Sequence, residues 1–158
     1  MSLPDHSPGK QRRSCWFIAS TVSKYVVVRS RVGWFAGHWI GRANRSIRCA
    51  GDDCATCASG HEPRVFTYVF LEDQFGEVRV WEIPERLFDL AREIESSVME
   101  GPGSELVISR EGTAKNSAIC ASITGYRDVE ELDIGKFVDT LGLPAKTRAQ
   151  AIQEKSAL

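Results

Sequence analysis

Residues 64–83, RVFTYVFLEDQFGEVRVWEI, contain two runs of alternating side-chain character joined by a short turn, with no helix-length segment between them. In the first run Arg64, Phe66, Tyr68 and Phe70 fall on one side and Val65, Thr67, Val69 and Leu71 on the other. In the second, Val78, Val80 and Glu82 oppose Arg79, Trp81 and Ile83. Period-two alternation marks strands. Parallel neighbours need a crossover of about a dozen residues or more, so a turn this short forces an antiparallel hairpin.

Other runs of the same kind lie on both sides. CWFIASTVSKYVVVRSR (15–31) is rich in β-branched and aromatic residues, and reads as one bent strand or two. SELVISRE (104–111) and SAICASITGY (117–126) form a second hairpin around GTAKN. One helix is predicted from Pro84 to Val98. Proline fits its first turn, Leu87, Ala91, Ile94 and Val98 recur at helical spacing with Phe88 and Leu90 widening the apolar stripe, and Gly-Pro-Gly at 101–103 stops it. Two short helices are expected after residue 126. The order of elements excludes a parallel α/β sheet. It predicts a mainly β fold: a five-stranded OB-fold barrel with a helix between strands and short C-terminal helices. The expected divisions are a disordered basic arm at 1–14, the barrel at 15–126 and a helical extension at 127–158.

Between the first and third strand-like runs the chain is irregular and cysteine-rich. The spacing is His38-x10-Cys49-x4-Cys54-x2-Cys57, with His61 just beyond. Two cysteines at x2 spacing, a third cysteine and a histidine supply the sulfur and nitrogen donors that fill a tetrahedral Zn²⁺ shell. A filled shell leaves no position for water or substrate, so the predicted zinc is structural, in a subdomain at about 38–61. His38 is the preferred fourth ligand, because it would tie the insertion to a strand; His61 is the alternative. Five cysteines and no apolar leader point to a reducing, cytoplasmic setting and against paired disulfides. Cys15 and Cys120, on strand-like segments, read as core thiols.

Charge is uneven. Residues 1–70 carry ten Lys/Arg against four Asp/Glu, a net of +6, while residues 71–158 carry ten against seventeen, a net of −7. A basic half rich in aromatic residues suits single-stranded nucleic acid, where bases stack on rings and Arg or Lys tracks the phosphates. The candidate contacts are Tyr25, Arg29, Arg31, Trp34, Trp39, Arg42, Arg45, Arg48, Arg64, Tyr68, Arg79, Trp81, Arg110 and Lys115. Lys10, Arg12 and Arg13 would add phosphate contacts from the arm. The aliphatic face of 64–71 is expected to pack the core and the aromatic face to serve as the platform. No apolar run is long enough to span a membrane. No phosphate loop, nucleophile elbow or zinc-deaminase pairing occurs, so no catalytic residue is nominated and the chain is not read as an enzyme.

The segment GHWIGRANRSIRCAGDDCATC, followed by PRVFTYVF, resembles phage-type single-stranded DNA-binding proteins. The resemblance covers about residues 15–126. It implies an OB fold with an inserted zinc subdomain of one histidine and three cysteines. It also implies sequence-independent binding of single-stranded DNA in replication, recombination or repair, with proteins of those processes as partners. Such proteins commonly end in an acidic tail; here DVEELD lies at 128–133 and the last residues are AIQEKSAL. Two other functions fit the same residues. One is a zinc-stabilised protein–protein interaction module whose arginines meet acidic side chains, and the other an RNA-binding protein of the same fold.

Overall fold

A computed structural model of the chain describes residues 16–40, 45–49, 54–97, 100–114, 117–132 and 150–153, with backbone only at 40 and 45–48. The expectation of a mainly β chain is met. Seven strands form one antiparallel sheet: β1 (Lys24–Val28), β2 (Gly33–Ile40), β3 (Arg45–Arg48), β4 (Arg64–Glu72), β5 (Val78–Ile83), β6 (Ser104–Arg110) and β7 (Ile119–Tyr126). Six follow the order β3-β2-β4-β1-β6-β7, and β5 also pairs with β4.

The described residues divide into two compact units. One holds 16–32 and 68–132; the other holds 33–67 and 150–153. In the first unit five strands run β5-β4-β1-β6-β7. The expected five-stranded barrel is not seen as such: five strands lie in this unit, and the second unit adds β2, β3 and the start of β4. Among the described residues no pairing joins β5 to β7, so the sheet is an open one. The outer side of β5 is instead met by Trp16, which bridges Val80 in parallel, with the Phe17 amide donating to the Val80 carbonyl at 2.7 Å. Covering a strand's free edge in this way blocks pairing with another chain.

The strand-like stretch 15–31 contributes only five strand residues, Lys24–Val28. They are central to the first unit. Val27 and Val28 face Glu72 and Leu71 of β4, and Lys24 through Val27 face Ile108 through Glu105 of β6. Ser30 is fully buried just past the end of β1. Its hydroxyl accepts the Phe70 amide at 2.9 Å and donates to the Arg31 carbonyl at 3.0 Å. A short side chain thus satisfies an amide of β4 where the β1 ladder ends. The segment after β2, expected to be irregular, contains β3, which returns along β2 as a hairpin.

Pro84 precedes a 3-10 turn, Glu85–Leu87, and then helix α2 (Phe88–Glu95). The short helix α1 (Ala55–Ala58) comes earlier, in the cysteine-rich segment. α2 buries Leu90, Ala91 and Ile94, all three on the predicted stripe. It ends at Glu95, three residues before the expected Val98. Residues 150–153 are helical. The basic arm at 1–14 and the helix expected near 132–144 lie outside the described residues, apart from residue 132. Among the described residues no helix is long and apolar enough to cross a membrane.

The core of the first unit is built from Val26, Val27, Val28, Tyr68, Val69, Phe70, Leu71, Val80, Trp81, Ile83, Leu106 and Ile108. β4 corrects the expected division of faces. Thr67 through Leu71 are all buried, so the aliphatic and aromatic sides are both covered. After Gly103 the chain passes the Arg127 carbonyl closely. Gly103 has φ +98, and a Cβ there would lie 2.3 Å from that oxygen. Gly76, at the β4–β5 turn, has φ +81 but open space around it. Gly103→Ala combines backbone strain with a clash against main chain and is expected to cost about 3 kcal/mol or more. Gly76→Ala carries only the left-handed penalty of about 1–2 kcal/mol. Denaturant midpoints of the two variants check this ranking; equal midpoints would contradict it.

Candidate metal centre and nucleic-acid contacts

The metal-ligand spacing becomes a site through two local devices in the second unit. The first is the β2–β3 hairpin. Gly37 pairs with Arg48 and His38 with Ile47, and the Cys49 amide continues the ladder to the Ala36 carbonyl at 2.9 Å. Residues on one face of an antiparallel pair approach both directly and diagonally. Cys49, opposite Ala36, therefore stands diagonal to His38 on the same face. The second device is the turn that opens α1. Cys54 occupies the position before the helix, at φ −74 and ψ 114, and Cys57 lies in the helix three residues on. One helical turn brings positions i and i+3 to the same side.

These devices converge on one point. His38 Nε2 lies 3.4 Å from both Cys54 Sγ and Cys57 Sγ, and Cys49 Sγ lies 3.5 Å from Cys57 Sγ. The four ligand atoms fall within 4.8 Å of one another. Four donors at bonds near 2.0–2.3 Å around a tetrahedral centre have edges of about 3.3–3.8 Å. The tetrad therefore has the dimensions of a closed metal shell. His38, Cys49 and Cys54 are buried and Cys57 is half-buried; all three cysteines are free thiols rather than a disulfide. Without a cation the crowding is unfavourable. Burial, then the hydrogen bonds the Cys57 thiol makes with the sulfurs of Cys49 and Cys54, push it up to about 12. A bound cation reverses that balance by stabilising thiolates. His61 is exposed, its amide donates to the Thr56 carbonyl, and it lies outside the tetrad. The choice left open by the spacing falls to His38.

The expected nucleic-acid contacts scatter. Trp34, Tyr68 and Trp81 are corrected: they are 0%, 1% and 2% exposed and present no ring face to solvent. Large rings remove the most apolar surface from water when they face inward, and that term wins. Burial also pushes the Tyr68 hydroxyl up to about 12. Tyr25 and Trp39 are 66% and 50% exposed, as stacking needs.

Three of the arginines are tied to acids. Arg29 pairs with Glu72 at 2.7 Å and donates to the Glu130 carbonyl. Arg31, though exposed, pairs with Glu100 at 2.6 Å and Glu131 at 3.4 Å. Arg79 pairs with Asp73 at 3.1 Å and with Glu77. Arg64 is exposed at the start of β4, and Arg110 is half-buried at the end of β6. Arg45 and Arg48 are on β3, while Arg42, Lys115 and the three basic residues of the arm lie outside the described residues. Cys120 is exposed on β7 rather than in the core, while Cys15 lies outside the described residues. Exposed rings missed in the sequence are Phe75, at the β4–β5 turn, and Tyr126, the last residue of β7. A phenylalanine within a QFGE turn was the available signal. Compared with protein families, curated proteins and solved structures, the chain matches none.

Two measurements follow from this geometry. One equivalent of divalent metal is expected per chain by elemental analysis, lost in Cys54→Ser and His38→Ala and kept in His61→Ala; metal retained in the first two would disprove the tetrad. Tyr68 gives the second. Its folded pKa lies above the usual value of 10.0, so the stability it contributes is complete below pH 10 and is lost as pH rises towards about 12. Ultraviolet titration should show one of the three tyrosines ionising about two pH units late, or only on unfolding. A single normal step for all three would contradict its burial.

Proposed function

We propose that this chain is a zinc-stabilised, OB-type protein that binds single-stranded DNA without sequence preference, in replication, recombination or repair. The observation that carries the reading is the His38–Cys49–Cys54–Cys57 tetrad, because it gives the resemblance to phage-type single-stranded DNA-binding proteins a real donor set. Three thiolates and an imidazole favour Zn²⁺ over harder cations, and a shell of four protein donors makes the ion a structural brace. It fixes the β2–β3 hairpin to the segment around α1.

The strand order supports the OB-type reading. In the first unit β5-β4-β1-β6-β7 is a five-strand path, α2 falls between β5 and β6 in sequence, and residues 33–67 interrupt the path as an insertion. Only a β5–β7 pairing separates that path from a closed barrel, and barrels of this class are partly open. Stacking would come from the exposed rings of Tyr25 and Trp39, and phosphate contacts from exposed basic groups such as Arg64. Each π face accepts any base, which gives binding without sequence preference, and paired bases in duplex have no face to offer.

The test is titration of the metal-loaded protein with a dT oligomer and with the matching duplex, read by tryptophan fluorescence and gel shift. Binding to the single strand alone is expected, with log K falling against log salt by about 0.7 per phosphate contact. Tyr25→Ala and Trp39→Ala should each weaken binding by roughly 1–3 kcal/mol. Indifference to the oligomer at low salt rejects the reading, and a preference for rU over dT makes RNA the target.

A further inference from the structure

Resting on the single-strand reading, we infer that a cleft in the first unit seats one unpaired nucleobase against Phe75, with the adjoining phosphate on Lys24. The cleft has a volume of about 380 Å³ and lies between the segment 16–18, β1 and the β4–β5 hairpin, so all its walls belong to that unit. Pockets that hold small ligands run from about 300 to 1,000 Å³, which puts this one in the range of a nucleotide-sized group.

The chemistry of the walls selects the occupant. Phe75 is 80% exposed and Ile18 69%, so two large apolar side chains stand in water at the cleft. Phe17 is already engaged. The Lys24 ammonium sits 5.7 Å from its ring centroid, and its edge meets Trp81 at 6.3 Å between centroids. Trp16, the third ring of the lining, is half-buried like Phe17, and the ring most open to solvent is Phe75. Asp73, Glu77 and Arg79 add acceptors and donors to the same cleft. Arg79 is held by both carboxylates, which neutralises it and fixes the hairpin. Among the described residues Lys24 has no carboxylate within ion-pair distance, and it is the lining cation available for a phosphodiester. An aromatic face, donors and acceptors in balance and one unpaired cation match a neutral heterocycle attached to a phosphate.

Phe75 suits a clean test because its side chain is largely exposed. The turn is held by other groups: the amides of Phe75 and Glu77 both donate to the Asp73 carboxylate, at 2.8 and 3.0 Å, and the Gly76 amide donates to the Asp73 carbonyl at 3.1 Å. Full-length, metal-loaded wild type, Phe75→Ala, Phe75→Trp and Lys24→Gln are titrated with a dT oligomer and with an abasic sugar-phosphate oligomer of the same length. Phe75→Ala is expected to lose roughly 5- to 150-fold in dT affinity and Phe75→Trp to keep it. Phe75→Ala should match wild type on the abasic strand. Lys24→Gln should lower the magnitude of the salt slope by about 0.7. If wild type binds dT and Phe75→Ala binds it equally, the cleft is not a base site and the single-strand reading stands. An equal loss on dT and abasic strands also overturns the inference, since Phe75 would then be sensing something other than a base. Failure of wild type to bind any single strand removes the reading and the inference together.

Discussion

The first unit depends on β4 being a strand with neighbours along both edges. It pairs with β1 and β2 and also with β5. Five consecutive residues, Thr67 to Leu71, are buried, so its amides and carbonyls have no water to turn to. Partners must come from protein. β1 supplies them through Val27 and Val28, the Arg29 amide donates to the Phe70 carbonyl at 2.8 Å, and the Ser30 hydroxyl takes the Phe70 amide where the ladder stops. This accounts for a fully buried serine among valines. It also places the arginines near acids: Arg29 follows directly on β1 and finds Glu72 at the far end of β4.

The second unit uses a different economy. Its hairpin β2–β3 has four paired positions, and α1 has four residues. β2 buries Trp34, Phe35 and Ala36, but α1 buries none of its residues. A metal ion held by the tetrad would supply fixed geometry to these short pieces. The tetrad draws one ligand from β2, one from the residue after β3 and two from the start of α1. An ion bound there would fix each of these three pieces to the others. Apolar packing in the same unit is local, as in the stacked pair Phe35 and Phe66, 5.5 Å apart.

Most of the strands were legible because their alternation is strong and their turns carry glycine or charge: β4, β5, β6 and β7 fall within a residue or two of the predicted runs. The candidate donor set was legible because binding a metal ion demands particular atoms at short spacing. β3 was not. RSIR carries no alternation longer than two residues, and it pairs only because β2 lies beside it. The length of the first run misled for a related reason. Residues 16–18 have strand-like composition, yet only a single bridge to Val80 uses it, since propensity for a strand cannot act without a partner edge.

The sequence by itself determined the antiparallel β class, the hairpin across residues 64–83, the helix that follows and three of the four metal donors. All of these rest on local periodicity or on fixed donor chemistry. Tertiary structure decided the rest. It chose His38 over His61, because cross-strand geometry carries only His38 towards the thiols. It put Trp34, Tyr68 and Trp81 inside and left Tyr25, Trp39 and Phe75 in water. A ring's chemistry is the same in the core and at a binding surface. Which role it takes depends on which neighbours cover it, and those neighbours come from distant parts of the chain.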